Sequence, residues 1–324
     1  MATVHEIEQR LFSWAPRESA MDWDNVGHLV GDPEQEVERI LVALDITERV
    51  VQEAIDCGAQ LIVSHHPVMN VRWHEREMQT LRPDTRLGGV LTTLVKNDIS
   101  AICMHTNLDA ADGGVNDCLA KKLGLNDVFL LNDEKIGRIG TLSCEKGLEE
   151  FLRDVIELLG CGGLRYCRGS GRVLRVAVGG GACGEYIPQA IAQGCDTFVT
   201  SDLRYNDFLD TRGLNLIDAG HFPTENIVCP TVKAYLEEHF PEVKTVISTS
   251  HRDGIQYYLE GEIISCPDIP SGTIFKRRRA QLTPSAAPPS PRSPRRSSSP
   301  SSRAARAIRI TTPVSRPSSP RPRP

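Results

Sequence analysis

Short apolar runs rich in β-branched residues alternate with amphipathic segments along the chain. Residues 37–44 have the composition of a buried strand, and residues 61–64 repeat it. Between them, residues 48–57 carry apolar side chains at helical spacing, with Thr47 as an N-cap and Gly58 as a stop. A strand–helix–strand unit of this length favours an α/β fold with a parallel sheet.

The same alternation continues to about residue 260. It predicts further helices over residues 4–15, 86–97, 115–123, 147–159, 185–193 and 224–239. It predicts further strands over residues 99–104, 136–143, 164–168, 173–178, 197–200, 215–218, 244–249 and 255–260. Residues 24–27 carry turn chemistry, although Asp24 or Asn25 could instead lie at the rim of a site. Residues 70–85 lack a clear period, which favours a loop or lid.

Four of the predicted strands end in residues of metal-ligand type. These ends are His65-His66, the run from His105 to Asp109, Ser201-Asp202, and the run from His221 to Glu225. The carboxyl ends of parallel strands lie along one edge of a sheet, where open α/β folds keep their sites, so we expect all four ends at that edge. Taken singly, each of these residues would more often be structural.

Neighbouring side chains on a regular strand point to opposite faces, so His65 and His66 can share a site only where the strand breaks. Pro67 removes a ladder donor and supplies that break. The alternative is a strand end with two solvent-exposed histidines. Further along the chain, Pro223 fits the first turn of a helix, from which Glu225 would point back toward the strand end that carries His221.

The alternatives for the two carboxylates are structural. Glu225 could be a glutamate that stabilises a helix N-terminus, and Asp109 could be a turn aspartate. As a set, however, three histidines and two carboxylates without a thiolate suit Zn, Mn, Fe(II) or Ni better than Ca or Mg. Two carboxylates can bridge two metals about 3.5–4 Å apart, an arrangement used to acidify a bound water for hydrolysis.

Residues 179–184 read Gly-Gly-Gly-Ala-Cys-Gly, which fits Gly-x-Gly-x-x-Gly. Alone this pattern is typical of a dinucleotide loop, and Asp202 could mimic the acidic residue that reads the ribose. A cradle for the phosphate of another nucleotide is a second interpretation. A turn that lets the backbone pass close to the site is a third. His74-Glu75 is not favoured as a ligand pair, since Met78 breaks the His-Glu-x-x-His spacing.

The ten cysteines form no Cys-x-x-Cys pair, and the chain has no charged-then-apolar leader and no apolar run of about 18 residues. We therefore expect a cytoplasmic protein with reduced cysteines and no association with a membrane. Charge is unevenly divided, because residues 276–324 hold thirteen of the 37 basic residues and none of the 42 acidic ones. We expect the Arg/Pro/Ser-rich tail over residues 273–324 to be disordered. It either binds polyanions without specificity or has no partner.

Several motifs also occur in a fixed order along residues 4–262. They are Trp23-Asp24-Asn25-Val26-Gly27, Ser64-His65-His66-Pro67, His105-Thr106-Asn107-Leu108-Asp109 with Gly113-Gly114-Val115-Asn116-Asp117, the glycine turn at 179–184, Thr200-Ser201-Asp202-Leu203, and Gly220-His221-x-x-Thr224-Glu225. Together they resemble the GTP cyclohydrolase I type 2 family, also called the Ngg1-interacting-factor-three-like dinuclear metal-centre proteins. The tail lies outside this resemblance.

The resemblance implies two α/β lobes with mixed or parallel sheets and a site for two divalent metal ions in the cleft between them. The implied metal ligands are His65, His66, Asp109, His221 and Glu225, with the carboxylates as bridges. His105 is implied as a pocket residue that touches substrate or a second metal. We expect residues 1–128 and 206–272 to form the metal-binding lobe and residues 129–205 to form the second lobe.

The resemblance further implies a hexameric ring and hydrolytic opening of the imidazole ring of GTP by a metal-bound hydroxide. Two departures affect substrate handling while leaving the five ligands in place: Ser201 stands where the family has glycine, and Asn206 where it has a cleft histidine. The alternative to a hydrolase is a non-catalytic, metal-stabilised ring with a regulatory role. A dinucleotide oxidoreductase, based on the glycine turn alone, is a third hypothesis.

Overall fold

The computed structural model describes residues 1–69, 80–259 and 262–265. Two of the predicted segments therefore lie wholly or mostly outside the described residues. The first is the disordered tail over residues 273–324. The second is the loop or lid over residues 70–85, including His74-Glu75.

The helices and strands follow one another in a pattern close to the predicted one. The helices are α1 (Val4–Trp14), α2 (Glu48–Cys57), α3 (Arg86–Lys96), α4 (Thr106–Ala110), α5 (Val115–Lys122), α6 (Leu148–Leu159), α7 (Ile187–Ala192), α8 (His221–Glu225) and α9 (Cys229–His239). The strands are β1 (Ala2–Thr3), β2 (Gly27–Val30), β3 (Glu36–Val37), β4 (Arg39–Ala43), β5 (Leu61–Ser64), β6 (Ser100–Cys103), β7 (Asn126–Leu130), β8 (Arg138–Gly147), β9 (Arg165–Cys167), β10 (Arg172–Val178), β11 (Thr197–Thr200), β12 (Asn215–Asp218), β13 (Lys244–Ile247), β14 (Gln256–Leu259) and β15 (Glu262–Ser265).

Helix α2 illustrates how local chemistry sets these boundaries. The hydroxyl of Thr47 accepts a hydrogen bond from the amide of Val50, which satisfies one of the free donors at the helix start. The helix ends at Gly58, whose φ of 68° lies in the left-handed region that glycine adopts without strain. Its inner face buries Val51 and Ala54.

The first sheet has the strand order β13-β4-β5-β6-β2, and β2 is its antiparallel member. Alternate residues of β4 belong to different cores. Ile40 and Val42 pack toward α1 and α9, whereas Leu41 and Ala43 pack toward α2 and α3. Because successive strand residues face opposite sides, a strand covered by helices on both faces has to be apolar throughout. This explains the uninterrupted apolar runs.

The second sheet has the strand order β7-β8-β10-β11-β12-β9. Strands β10, β11 and β12 are parallel to one another, and the remaining strands pair antiparallel with their neighbours. In β11, Val199 packs toward α6 and Phe198 packs on the opposite face beside Tyr186. The predicted fold class, two α/β lobes with mixed and parallel sheets, is confirmed.

One expectation about the sheets is wrong. The four polar strand ends do not share one sheet edge, because β5 and β6 lie in the first sheet and β11 and β12 in the second. Periodicity identifies a strand but not its neighbour. The proposed lobe boundaries stay a prediction, although β12 hydrogen-bonds within the second sheet and falls in the range 206–272 expected for the first lobe.

Three local expectations also need correction. The segment read as a turn at residues 24–27 leads directly into β2, which the sequence did not reveal. Strand β7 was likewise missed. The helical segment predicted from residue 224 begins at His221, with α8 and α9 joined by a 3₁₀ turn. Within the described part of the chain, no helix is both long and apolar enough to cross a bilayer.

Candidate metal centre

The first sheet contributes the adjacent histidines. Strand β5 ends at Ser64, and the amides of His65 and His66 both bond the neighbouring chain, at 3.3 Å to Ala43 O, the last residue of β4, and 2.9 Å to Leu44 O. In a regular strand successive amides point to opposite sides, so two successive bonds to the same neighbour show that the expected break is present. The rings of His65 and His66 lie 5.1 Å apart and tilted by 44°, so both reach the same region. His65 is only 2% exposed.

Asp109 reaches the same region from the neighbouring strand. Strand β6 leads through Met104 and His105 into the short helix α4, and Asp109 lies within that helix rather than in a turn. It is buried, and its Oδ1 lies 3.6 Å from Nε2 of His65. Asn116 donates a hydrogen bond to the main-chain carbonyl of Asp109 and fixes the helix from behind.

The second sheet contributes the other pair. After β12 the chain turns at Gly220, whose φ is 86°, and α8 begins at once with His221. Glu225 lies one helical turn further on, and its Oε2 is 2.9 Å from Nε2 of His221. Pro223 occupies the first turn of α8, where its missing amide hydrogen costs nothing. Glu225 therefore does point back toward the strand end.

All five predicted ligands meet around Glu225, which is 3% exposed. Its Oε2 is 2.9 Å from Nε2 of His66, and its Oε1 is 3.8 Å from Nε2 of His65. The Nε2 atoms of His66 and His221 are 3.3 Å apart. The structure thus brings together side chains that come from both sheets, with His66 and Glu225 separated by 159 positions along the chain.

These donors form two overlapping sets that share Glu225. We call His65, Asp109 and Glu225 the inner set, because all three are buried, and His66, His221 and Glu225 the outer set. Within each set, one potential ligand atom per residue lies within 4.8 Å of the others. His105 forms a third such group with His65 and His66. The arrangement offers two neighbouring positions for a cation, with a carboxylate between them.

Each histidine of this region has its Nδ1 atom bonded to an oxygen on the outside of the site. The pairs are His65 with Met104 O at 2.8 Å, His66 with Asp45 at 2.7 Å, His105 with Asp24 at 2.8 Å, and His221 with Asp202 at 2.6 Å. An imidazole whose Nδ1–H donates in this way presents Nε2 as the atom able to bind a metal.

The carboxylates strongly perturb the outer histidines. Burial alone would lower the pKa of His66, but the charge of Glu225 and the hydrogen bond to Asp45 outweigh it and raise the pKa to about 10. For His221, burial is likewise outweighed by Glu225 and Asp202, and the pKa rises to about 11. Protons and a divalent cation would therefore compete for the same two nitrogens.

The two carboxylates are shifted in opposite directions. Burial raises the pKa of Asp109, and the nearby His65 offsets this only in part. Burial would also raise the pKa of Glu225, but His221 and His66 lower it well below the usual range. Glu225 is therefore the firmly anionic group at the centre of the site, as a bridging ligand needs to be.

The inner set fits a bound metal ion by an independent observation. Nε2 of His65 and Oδ1 of Asp109 are among the buried side-chain atoms that lack a hydrogen-bond partner in the described part of the chain. Buried polar atoms are normally satisfied, so two orphaned acceptor-type atoms 3.6 Å apart indicate a group that they are built to hold. A cation bound by nitrogen and oxygen donors would satisfy both, and this donor set suits Zn, Fe, Mn or Ni.

His105 lies beside the five residues, and Asp24 holds it from behind. Asp24 accepts hydrogen bonds from Nδ1 of His105 and from the amide and hydroxyl of Thr106. Burial would raise the pKa of Asp24, but these bonds lower it to about 2. Asn25 instead donates to the carbonyl of Met69. The motif read as a turn thus positions a pocket histidine.

The glycine turn at residues 179–184 packs against the centre and does not fit a phosphate cradle. The amide of Gly180 donates to Asn116, and the amide of Gly181 donates to Thr224. A Cβ atom on Gly181 would lie 2.1 Å from Oε1 of Glu225. Glycine is therefore required because the backbone passes directly against the ligand, and the dinucleotide interpretation loses its main donors.

The sequence did not predict that Asp45 and Asp202 bond the Nδ1 atoms of His66 and His221. Asp45 lies two residues beyond the end of β4, the strand beside β5, and Asp202 is one of the polar strand ends, with a ribose-reading role as its alternative. The available signal was a carboxylate at a strand end beside a histidine-bearing strand. Asn206, the departure in the predicted cleft, lies exposed in the 3₁₀ turn Tyr205–Phe208.

The chain is similar to the proteins of a known family. The model of the family described as Duf34/NIF3 (NGG1p interacting factor 3) matches residues 2–254. A Clostridium perfringens protein named GTP cyclohydrolase 1 type 2 homolog is 34% identical over 253 residues, covering 75% of this chain and 95% of that protein. A Streptomyces coelicolor protein of the same name is 36% identical over 252 residues, covering 74% of this chain and 87% of that protein.

The fold is also similar to that of a solved structure. The crystal structure of a Bacillus cereus protein related to NIF3 superposes with a TM-score of 0.74 at 25% identity. The match covers 79% of this chain and 99% of that one. The two-sheet architecture described above is therefore shared over nearly the whole of that relative.

Proposed function

This chain belongs to the Duf34/NIF3 family, and on that premise we propose that it is a metal-dependent hydrolase of the GTP cyclohydrolase 1 type 2 class. The observation that carries the proposal is the pair of donor sets that share the buried Glu225. Two neighbouring cation positions with a common carboxylate are the arrangement that hydrolytic two-metal sites use.

The five residues have different roles in the proposed centre. His65 and Asp109 would hold one cation, His66 and His221 the other, and Glu225 would bridge them. When bound, a pair of divalent cations lowers the pKa of a bound water and polarises the substrate bond that this water attacks. His105, fixed at Nδ1 by Asp24, lies where it can orient a substrate against His65 and His66, whose ring centroids are 5.2 and 5.5 Å away.

The proposed substrate class is a purine nucleotide, with the imidazole ring of GTP as the group that is opened by hydrolysis. The name shared by the curated relatives supports this choice. We propose in addition that the protein assembles into a homo-oligomeric ring, as the resemblance implies. Turnover and assembly are separable, and each has its own measurement.

The test of the hydrolase uses the full chain loaded in turn with Zn²⁺, Mn²⁺, Fe²⁺ and Ni²⁺. Loss of GTP and formation of a ring-opened product are followed by chromatography. We expect turnover with at least one metal, and we expect Glu225→Gln to abolish it while the fold persists, as checked by circular dichroism. Glu237→Gln, in the exposed part of α9, is the matched control and should keep full activity.

Absence of GTP turnover with all four metals would contradict the hydrolase. Stable loading of two ions without turnover would instead favour the non-catalytic ring. In that case Asp109→Ala should change the oligomer size, measured by light scattering, and no reaction would be lost.

A further inference from the structure

We propose that Asp45 and Asp202 are positioning residues for the outer set, and that they make the two metal positions chemically unequal. The inference rests on the proposed metal centre and deepens it. The outer metal position depends on two carboxylates that bind no metal themselves, and the inner position does not depend on them.

Each imidazole of the outer set has a carboxylate at its Nδ1 atom. Oδ1 of Asp45 lies 2.7 Å from Nδ1 of His66, and Oδ2 of Asp202 lies 2.6 Å from Nδ1 of His221. A carboxylate can only accept, so the Nδ1 atom of each imidazole carries the proton in both pairs. The two Nε2 atoms are then the metal-binding atoms, and both are already directed at Oε2 of Glu225.

The histidine of the inner set is held by a different kind of acceptor. Nδ1 of His65 donates to the main-chain carbonyl of Met104, a neutral acceptor, at 2.8 Å. The outer imidazoles are therefore backed by two full negative charges, and the inner imidazole by a dipole. A carboxylate behind a ligating histidine raises its basicity and fixes its ring, which strengthens the bond to the metal.

The backbone at Asp202 has an unusual conformation. This residue has φ of 53°, a left-handed conformation that is uncommon for a residue other than glycine. Its neighbours are held on both sides, with Ser201 N bonded to Gly181 O and Leu203 N bonded to Asp218. Such conformations persist where the surroundings impose them, often at functional sites. Here the conformation delivers the carboxylate to His221.

Asp45 and Asp202 are far more exposed to solvent than Glu225. The side chains of Asp45 and Asp202 are 45% and 47% exposed, whereas that of Glu225 is 4% exposed. Half-exposed carboxylates gain little as isolated surface groups, and water would compete for their bonds to histidine. Two such pairs placed symmetrically behind the outer set, one from each sheet, are explained by a cation bound on the far side of each ring.

The experiment titrates Co²⁺ into the full chain after removal of bound metal, and follows both calorimetry and the visible spectrum. Wild type should bind two equivalents. Asp45→Asn and Asp202→Asn should each keep one equivalent at wild-type affinity and weaken the other by about 10–100-fold. Asparagine tolerates the left-handed backbone of position 202, so the fold is preserved. Asp210→Asn, which removes the same charge from an exposed aspartate nearby, is the control.

A graded variant separates position from mere charge. Asp45→Ala removes the acceptor as well as the charge, so it should weaken the second equivalent more than Asp45→Asn does. Cooperative melting of each metal-free variant checks that it is folded. Two equivalents at wild-type affinity in both asparagine variants, or equal weakening of both equivalents, would overturn the inference. Wild type that binds no Co²⁺ would overturn the proposed metal centre itself.

Discussion

The two sheets hold their halves of the centre by different means. On the first sheet, His65 follows a fully buried strand and is fixed by a main-chain carbonyl, and Asp109 lies in a buried helix. On the second sheet, His221 and Glu225 depend on positive φ angles at Gly220, Asp202 and Gly181. The first half is a consequence of strand packing, whereas the second half is built from unusual local backbone conformations.

This difference predicts where the centre tolerates change. Ligands set by packing should survive a local substitution so long as the core remains, because many contacts share the load. Ligands set by a left-handed residue should be lost when that one residue changes. Substitutions in the contacts between the sheets, in the glycine turn and at the rim of the first sheet test this contrast, in descending order of expected effect.

The largest effect is expected at Arg138, a buried arginine at the start of β8. It pairs with Asp117 at 2.6 Å and donates to the carbonyls of Ala110 and Ala111, directly after Asp109. Arg138→Met removes the charge partner of Asp117 and the side-chain donor to both carbonyls, although Ala111 O still accepts from Gly114 N. We expect a loss of about 3 kcal/mol in the free energy of unfolding, measured in urea, at the low end of the range for a broken buried pair because Asp117 is partly exposed.

The same variant tests whether the first-sheet half supports itself. Asn116 still holds the carbonyl of Asp109, so Co²⁺ stoichiometry should remain that of wild type. Loss of one equivalent in the folded Arg138→Met protein would show that the second sheet also positions the inner set, and the contrast would fail. Arg153→Met, at an exposed site of α6, controls for loss of an arginine.

The next effect is expected at Gly181. Alanine there would incur the cost of a left-handed residue, about 1–2 kcal/mol of unfolding free energy. It would also press on Oε1 of Glu225, since the added Cβ would lie 2.1 Å away. We expect Co²⁺ affinity to fall by at least about 10–100-fold, the range known for residues that position metal ligands. Calorimetric titration of the folded variant measures this directly.

Gly194→Ala is the matched control for that substitution. Gly194 has a similar φ of 71°, but no atom lies within 4 Å of an added Cβ. It should show the same loss of unfolding free energy with no change in Co²⁺ affinity. Equal metal affinity in the two alanine variants would mean that the close approach to Glu225 has no role in the site.

The sequence predicted elements with local signals better than elements set by a strained turn or by distant pairing. Helix α2 and strand β5 match their predicted bounds because caps and apolar period are local signals. The start of α8 was placed three residues late, since nothing in His221-Phe222 marks a helix start after a glycine with φ of 86°. Strand β2 was missed because its antiparallel pairing with β6 joins residues more than 70 positions apart.

The candidate site shows the same division. The five predicted ligands could be read from strand ends and from a family resemblance, and the structure brings them together. The division of the four strand ends between two sheets could not be read, because a strand's pattern does not name its neighbour. Nor could the pairing of Asp45 with His66 or of Asp202 with His221, since each is a single hydrogen bond made by tertiary folding.

The smallest effect is expected at the rim of the first sheet, where the charge of one carboxylate, rather than packing, holds the chain. Glu53 on α2 accepts hydrogen bonds from Ser248, Thr249 and Ser250, in the segment that follows the edge strand β13. Burial would raise the pKa of Glu53, but these bonds lower it from 4.5 to about 2. Glu53→Gln should therefore reduce the free energy of unfolding by about 1 kcal/mol at pH 7.

The sign of the pH dependence follows from the lowered pKa. A carboxylate with a lower pKa in the folded state contributes stability that is fully present above pH 4.5 and is lost as the pH falls toward 2. Urea midpoints of wild type and Glu53→Gln should thus differ at pH 7 and converge near pH 2. Glu157→Gln, exposed on α6, should follow wild type at every pH. A difference between wild type and Glu53→Gln that persists at low pH would mean that shape, and not charge, holds this rim, which would extend the packed character of the first sheet to its edge.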